Sequence, residues 1–178
     1  MYNLDEKILL LIQESIRNPI LTKVFVPLTN LGNAGIFLII LGIVLSSIKK
    51  TRRLGVSFLT ALLLNFIIND LVIKNIIRRA RPFYTIPGLN ILIKPPKSFS
   101  FPSGHTSSFF ACSTVLFSSS KKYGGLLLLM SFIMGFSRMY VGVHYPSDVF
   151  AGMIVGIISG ISTIYIYRYF DKLKELKC

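Results

Sequence analysis

Three short polar clusters interrupt an otherwise apolar chain, and between them they hold both of its histidines. The first is Lys74 with Arg81-Pro82 seven residues on, the second is Pro102-Ser103-Gly104-His105, and the third is Ser137-Arg138 followed by His144 and Asp148. Lys74 and Arg81 are two helical turns apart, so on one continuous helix they share a face, with Arg78 between them and Pro82 as the stop. Taken alone, such a run is an ordinary juxtamembrane site for lipid headgroups. Ser103 is a good helix cap, and the unpaired amides after it point outward with the positive end of the helix dipole, a geometry suited to phosphate. Gly104 keeps side-chain bulk away from an anion there, and His105 is close enough to give a proton. By itself this cluster also reads as a plain cap with a surface histidine. Asp148 follows His144 by one helical turn, in the first turn of a helix opened by Pro146. A carboxylate there can hold one imidazole nitrogen while the other faces a substrate, and an oriented, neutral histidine is a nucleophile or a base.

The elements that must position these groups are membrane helices. Of 178 residues, 52% are hydrophobic, and the mean hydropathy is +0.64, well above an ordinary soluble domain. The formal charge of +13, from 20 Lys and Arg against 7 acids, would suit nucleic acid or an anionic membrane. The length of the apolar runs selects the membrane and argues against nucleic acid. Spans are predicted over 31–48, 54–73, Gly104–Ser119, 124–141 and 149–167. The third is rich in Ser and Thr, better suited to packing between helices than to facing lipid, and the fifth carries a small-residue ridge at Gly152, Gly156 and Gly160. Asn65 and Asn69 in the second span read as interhelical hydrogen-bonding groups, and Asp70 is one turn from Lys74, close enough to pair with it.

Residues 5–16 read as an amphipathic helix lying in the interface, ended by Asn18-Pro19, and 21–28 is too short to span. Acidic residues near the start, and no uninterrupted apolar centre, argue against a cleavable signal peptide. Lys49, Lys50, Arg52, Arg53, Lys121, Lys122 and the basic tail place one set of connections in the cytoplasm by the positive-inside rule. The polar clusters then fall on the outer face. Ionisable groups concentrated against that bias point to a specific job rather than to solvation. The expected architecture is all-α: one domain over 1–178, a polytopic bundle of about five transmembrane helices with an interfacial segment over 1–30. Cys112 and Cys178 are too poorly matched in setting for a disulfide, and no Cys/His spacing or acidic cluster suggests a metal.

Together the three clusters resemble the full signature of the type 2 phosphatidic acid phosphatase superfamily of lipid phosphatases, similar at its active site to the vanadium haloperoxidases. The motifs cover 74–148 in order and with no member missing. The resemblance implies that His144 attacks phosphorus to give a phosphohistidine, Asp148 orients it, and His105 protonates the leaving oxygen and later activates water. Lys74, Arg81, Ser103, Gly104 and Arg138 would hold the phosphate oxygens, with no metal and no cofactor. It also implies a lipid phosphate or diphosphate substrate, and with the loop charges the expectation is a plasma-membrane protein that handles it on the extracytoplasmic side. Undecaprenyl diphosphate is the first expectation, with phosphatidylglycerophosphate and phosphatidic acid behind it. A rival of another class is a non-enzymatic lipid-phosphate binder or flippase, which would need no paired acid and base. Many relatives have six spans, and here the amphipathic helix is expected to stand in place of the first. The loop 83–101, apolar residues interleaved with prolines, reads either as a lateral entrance for a lipid chain or as a cover over the site.

Overall fold

The structure is a computed structural model that describes residues 3–31 and 35–175. In chain order it contains α1 (Leu4–Leu11) with a π-helical turn Ile12–Ile16, α2 (Pro19–Leu31), α3 (Ile36–Ser47) and α4 (Arg52–Asn65). The α4 helix runs on through a π-helical stretch Phe66–Ile73 into α5 (Lys74–Ile77). After these come α6 (Pro82–Thr85), α7 (Gly104–Ser119), α8 (Lys121–Tyr140) and α9 (Pro146–Glu175), and no strand occurs among the described residues.

The hub is α7, which packs against α4, α8 and α9. Its buried residues, Thr106, Ser107, Phe109, Phe110, Ala111, Cys112, Ser113 and Val115, lie all round the helix, as expected of a Ser/Thr-rich segment enclosed by neighbours. Its hydroxyls are satisfied locally: Ser113 and Thr114 both donate to the Phe110 carbonyl. The glycine ridge of α9 lies directly on α7. A Cβ at Gly156 would come within 2.3 Å of the Ser107 carbonyl oxygen, and one at Gly152 within 2.6 Å of that of Ser103. From the other side, Asn65 of α4 donates to Ser107 and Ser108; Asn69 donates instead to neighbouring Asp70.

The outward faces are apolar. Leu63 and Ile67 on α4 and its continuation, Leu129 and Phe132 on α8, and Ile154, Ile158 and Ile161 on α9 are all exposed, a surface that suits lipid rather than water. The segments Arg52–Thr85 and Pro146–Tyr169 are long and apolar enough to cross a bilayer, and Ile36–Ser47 is a shorter apolar helix.

Two expectations change. The uninterrupted run 31–48 is not one helix: α2 ends at Leu31, and α3 starts only at Ile36 after Gly35, whose φ of 67° no right-handed helix contains. Residues 32–34 lie outside the described set, as do Lys177 and Cys178. Apolarity marks where lipid or core is wanted, but not where the backbone breaks. The N-terminal stretch also holds more helix than its sequence suggests. Asn18-Pro19 ends the first helix but opens the second, because proline is at ease in a first turn and Asn18 Oδ1 accepts from Leu21 N–H at 2.9 Å.

The apolar face of α1 and its π turn is divided. Leu4 and Leu11 are exposed, whereas Leu9 packs with Ile86, Leu89 and Tyr145, and Ile12 with Tyr140, Val141 and Val143. Gln13 and Arg17 add polar ties: Gln13 bonds the backbone of Gly88 and Asn90, and Arg17 donates to the carbonyls of Asn90 and Tyr140. The segment therefore clamps the loop 83–101 to the end of α8.

Candidate active site

The antiparallel order of α4, α7, α8 and α9 brings the end of α5, the starts of α7 and α9 and the end of α8 to one end of the bundle. Lys74, the Ser103-Gly104-His105 turn, Arg138 and the His144/Asp148 pair thereby come together. The shared helical face expected of Lys74, Arg78 and Arg81 does not exist. The helix ends at Ile77, Arg78 takes a left-handed φ of 50°, and Arg81 is extended at φ −78°, ψ 152°. The residue before a proline avoids the helical region, which straightens the chain at Arg81, one residue ahead of Pro82. Arg78 stays exposed and donates to the Asn75 carbonyl, while Arg79 and Arg81 turn inward.

Arg81, 4% exposed, is fixed by the Ser98 carbonyl at 2.7 Å and the Val143 carbonyl at 2.9 Å, with further bonds to Ser98 Oγ and the Phe99 carbonyl. Lys74 is buried and ion-paired with Asp70, one turn away as expected. Gly104 faces that pair closely: a Cβ there would stand 3.1 Å from Asp70 Oδ1 and 3.5 Å from Lys74 Nζ.

His144 lies in the turn between α8 and α9 and is 2% exposed. Its Nδ1 faces Asp148 Oδ2 at 3.4 Å, and its Nε2 faces Arg81 Nη1 at 3.3 Å. Burial pushes the imidazole down to about 3, with Arg81 and Arg138 adding to the effect and Asp148 opposing it, so the ring is neutral at any ordinary pH. Asp148 is fully buried and accepts from Ser100 Oγ at 2.5 Å, Tyr145 N–H at 2.9 Å and Arg79 Nη1 at 2.8 Å. Its own carbonyl accepts the Ser103 amide at 3.0 Å, tying the start of α9 to the start of α7.

Ser103 behaves differently from the expected cap. It precedes α7 with extended backbone, but its side chain makes no capping bond and accepts instead from Thr106 Oγ1 at 2.9 Å. Its hydroxyl is fully buried. Arg138 donates Nη1 to Thr29 of α2 at 2.5 Å. Its buried Nε has no hydrogen-bond partner among the described residues, and a buried N–H left so is costly until an acceptor arrives.

A cavity of about 800 Å³ joins these groups to the helix interior. One end is lined by Lys74, Arg81, Lys94, Gly104, His105 and Arg138, the other by Leu38, Leu59, Leu62, Leu63, Phe66 and Phe109. Such a space takes an anion at one end and a hydrocarbon chain at the other. The loop 83–101 contributes Ile93 to Pro96 and Ser98 to the walls.

Residues 53–172 match the model of the PAP2 superfamily. The chain belongs to that superfamily. Among relatives of this PAP2 protein, undecaprenyl-diphosphatase BcrC of Bacillus subtilis is 30% identical over 161 residues, covering 88% of this chain and 79% of the relative. The bacitracin transport permease protein BcrC of Bacillus licheniformis is 44% identical over 81 residues, 46% of this chain and 40% of that protein. An undecaprenyl-diphosphatase of Sulfolobus acidocaldarius is 30% identical, with 52% of its length matched, so the chain spans about half the length of two of these relatives. The crystal structure of Aquifex aeolicus LpxE superimposes with a TM-score of 0.81 at 31% identity, covering 92% of this chain and 96% of that one. The transmembrane PAP2-type phosphatidylglycerolphosphate phosphatase of Bacillus subtilis gives 0.75 at 27% identity, covering 94% and 84%.

Arg79, Ser100, Ser98, Lys94 and Thr29 escaped the sequence reading of this PAP2 site. Only Arg79 left a signal, as a third arginine beside Arg81, and nothing in the spacing distinguishes it from exposed Arg78.

Proposed function

We propose that the protein is an integral membrane phosphatase that removes the terminal phosphate of a lipid phosphate or diphosphate through a phosphohistidine. The observation that carries this reading is the amphiphilic cavity, with three buried cations, Lys74, Arg81 and Arg138, and His105 at its polar end and His144 behind Arg81. His144 Nδ1 faces Asp148, so Nε2 is the attacking atom. Arg81 Nη1 gives up that nitrogen as the phosphate arrives and takes a phosphate oxygen instead. Nε2 bonds to phosphorus, the bond to the bridging oxygen breaks, and His105 supplies the proton to the departing lipid oxygen. Water then attacks phosphorus and gives a proton to His105, the P–N bond breaks, and inorganic phosphate leaves with His144 neutral again. Lys74, Arg138 and the turn at Ser103 and Gly104 stabilise the charge in flight, in line with phosphoryl transfer's need for positioning and electrostatics.

Undecaprenyl diphosphate is the favoured substrate, on the names borne by relatives in Bacillus and Sulfolobus. A phosphatidylglycerophosphate or phosphatidic acid reading rests on likeness to the Bacillus subtilis phosphatase structure. The bundle crosses the plasma membrane about five times, with the site outside. Lys50, Arg53 and Arg168 line a cavity at the opposite end of the bundle, where the positive-inside rule wants them.

Phosphate release by purified protein from a panel of these lipids in detergent tests the assignment. Release that is fastest with undecaprenyl diphosphate and lost in His144→Ala supports it. Lipid binding without release from any member would give the site to a binder or flippase.

A further inference from the structure

Asp148 is held by more than the histidine it orients. Arg79 lies between two carboxylates, Nη1 on Asp148 Oδ1 at 2.8 Å and Nη2 on Asp5 Oδ2 at 2.8 Å, with its guanidinium 3.8 Å over the ring of Tyr145. Asp5 belongs to the first turn of α1, far from the motifs in sequence and outside the residues that match the family. It also grips the helix that carries Asp148. Ser147 N–H, a first-turn amide of α9, donates to Asp5 Oδ1 at 3.0 Å, and Ser147 Oγ donates to Asp5 Oδ2 and accepts from Arg79 Nη1 at 2.6 Å. The chain of charges thus runs His144, Asp148, Arg79, Asp5, and its last member comes from the N-terminal helix.

Resting on the phosphatase reading, we propose that Asp5 is a positioning residue of the site: through Arg79 it sets how firmly Asp148 holds His144. A guanidinium shared between two carboxylates leaves each of them more anionic than one bound to a single carboxylate. The His144 to Asp148 contact is long at 3.4 Å, so it is sensitive to any pull on Asp148. Without the Asp5 charge, Arg79 draws wholly on Asp148, and the carboxylate offers less support to the cationic ring that forms on attack. The effect belongs to the chemical step and not to lipid binding, since Asp5, Arg79 and Asp148 do not line the cavity.

The test is a double-mutant cycle on full-length protein in detergent, with undecaprenyl diphosphate as substrate and thermal melting followed in parallel. Asp5→Asn is expected to lower kcat about tenfold with KM held within about twofold, and Asp5→Glu to recover part of the loss. In an Arg79→Gln background, Asp5→Asn should change kcat by less than about twofold, because the bridge is already gone. Glu6→Ala, which breaks the capping box with Asn3 on the same helix, should lower the melting temperature and leave kcat alone. An unchanged kcat in Asp5→Asn overturns the proposal. So does a loss that multiplies independently with that of Arg79→Gln, or one that Glu6→Ala reproduces. If Asp5→Asn does not fold, Arg79→Lys carries the test: an ammonium does not span two carboxylates as the planar fork does, so kcat should fall with KM held. An unchanged kcat in that variant overturns the proposal equally. If wild type and His144→Ala release phosphate alike, it is the phosphatase reading that fails.

Discussion

His144 sits among cations in a site that removes it from water, and the sign of that effect fixes its pH behaviour. Its folded value of about 3 lies below the ordinary value near 6.5 of an unfolded histidine. Above about 6.5 both states are neutral and nothing is gained or lost. As pH falls below that, the unfolded chain takes up a proton that the folded chain refuses, so stability declines toward pH 3. Thermal melting should show this decline between pH 7 and 4, and His144→Gln should flatten it. The same neutrality removes the acid limb that a solvent-exposed nucleophilic histidine would impose, so kcat/KM measured where the protein stays folded should not fall between pH 7 and 5, while the proton that His105 must carry favours the lower end of that range. His144→Ala should abolish turnover, and Asp148→Asn, with the wrong hydrogen-bonding partner for Nδ1, should lower kcat by about 10²–10⁴-fold. No group of three or more metal-ligating side chains occurs among the described residues, and turnover should survive EDTA; loss restored by magnesium would contradict this. The pairing of His144 with Asp148 and of Lys74 with Asp70 was legible in one-turn spacing, whereas the helical face expected of Lys74 and Arg81 and the cap expected of Ser103 were not formed. Arg79, Ser100 and Asp5 were not legible, because their contacts with Asp148 or each other depend on a helix break at Arg78 and on packing between segments far apart in sequence.

Among the elements, the contact of α7 with α9 decides whether the halves of the site meet, since one helix starts with Gly104-His105 and the other carries Asp148. Gly156 has no room for a methyl group, whereas a Cβ at Gly125 on α8 meets nothing within 4 Å. Gly156→Ala should therefore destabilise the protein by about 1–3 kcal/mol, as overpacking does, and lower activity by parting the two helices. Gly125→Ala should leave both unchanged; equal behaviour of the two variants in melting and turnover would contradict this packing. The glycine ridge was legible as four-residue spacing, and α7 as a helix too polar for lipid. The break between α2 and α3 was hidden inside an uncharged run, and the turn at Arg78 inside a pattern that looked helical. Hydropathy reports burial and lipid contact, and a change of backbone direction leaves it untouched.

For the whole molecule, alternating helix directions put the basic clusters at one end and the cavity's polar end at the other. The positive-inside rule then assigns the sides. In a Cys-free background, Lys97→Cys on the exposed loop 83–101 should react with an impermeant thiol reagent on intact cells, and Lys122→Cys should not. The reverse pattern would invert the protein in the membrane. That orientation is an expectation from the loop charges, whereas the docking of the N-terminal segment onto the motif loops could not be read from the sequence, because an amphipathic helix looks the same whether its apolar face meets lipid or protein. The most direct test of the phosphatase account is to mix the purified protein with undecaprenyl diphosphate labelled in its terminal phosphate and quench in alkali within one turnover. Label bound to His144 in wild type, absent in His144→Ala and chased into free phosphate on longer incubation, is the predicted result. Phosphate released at the wild-type rate by His144→Ala, or label on any other residue, would contradict it.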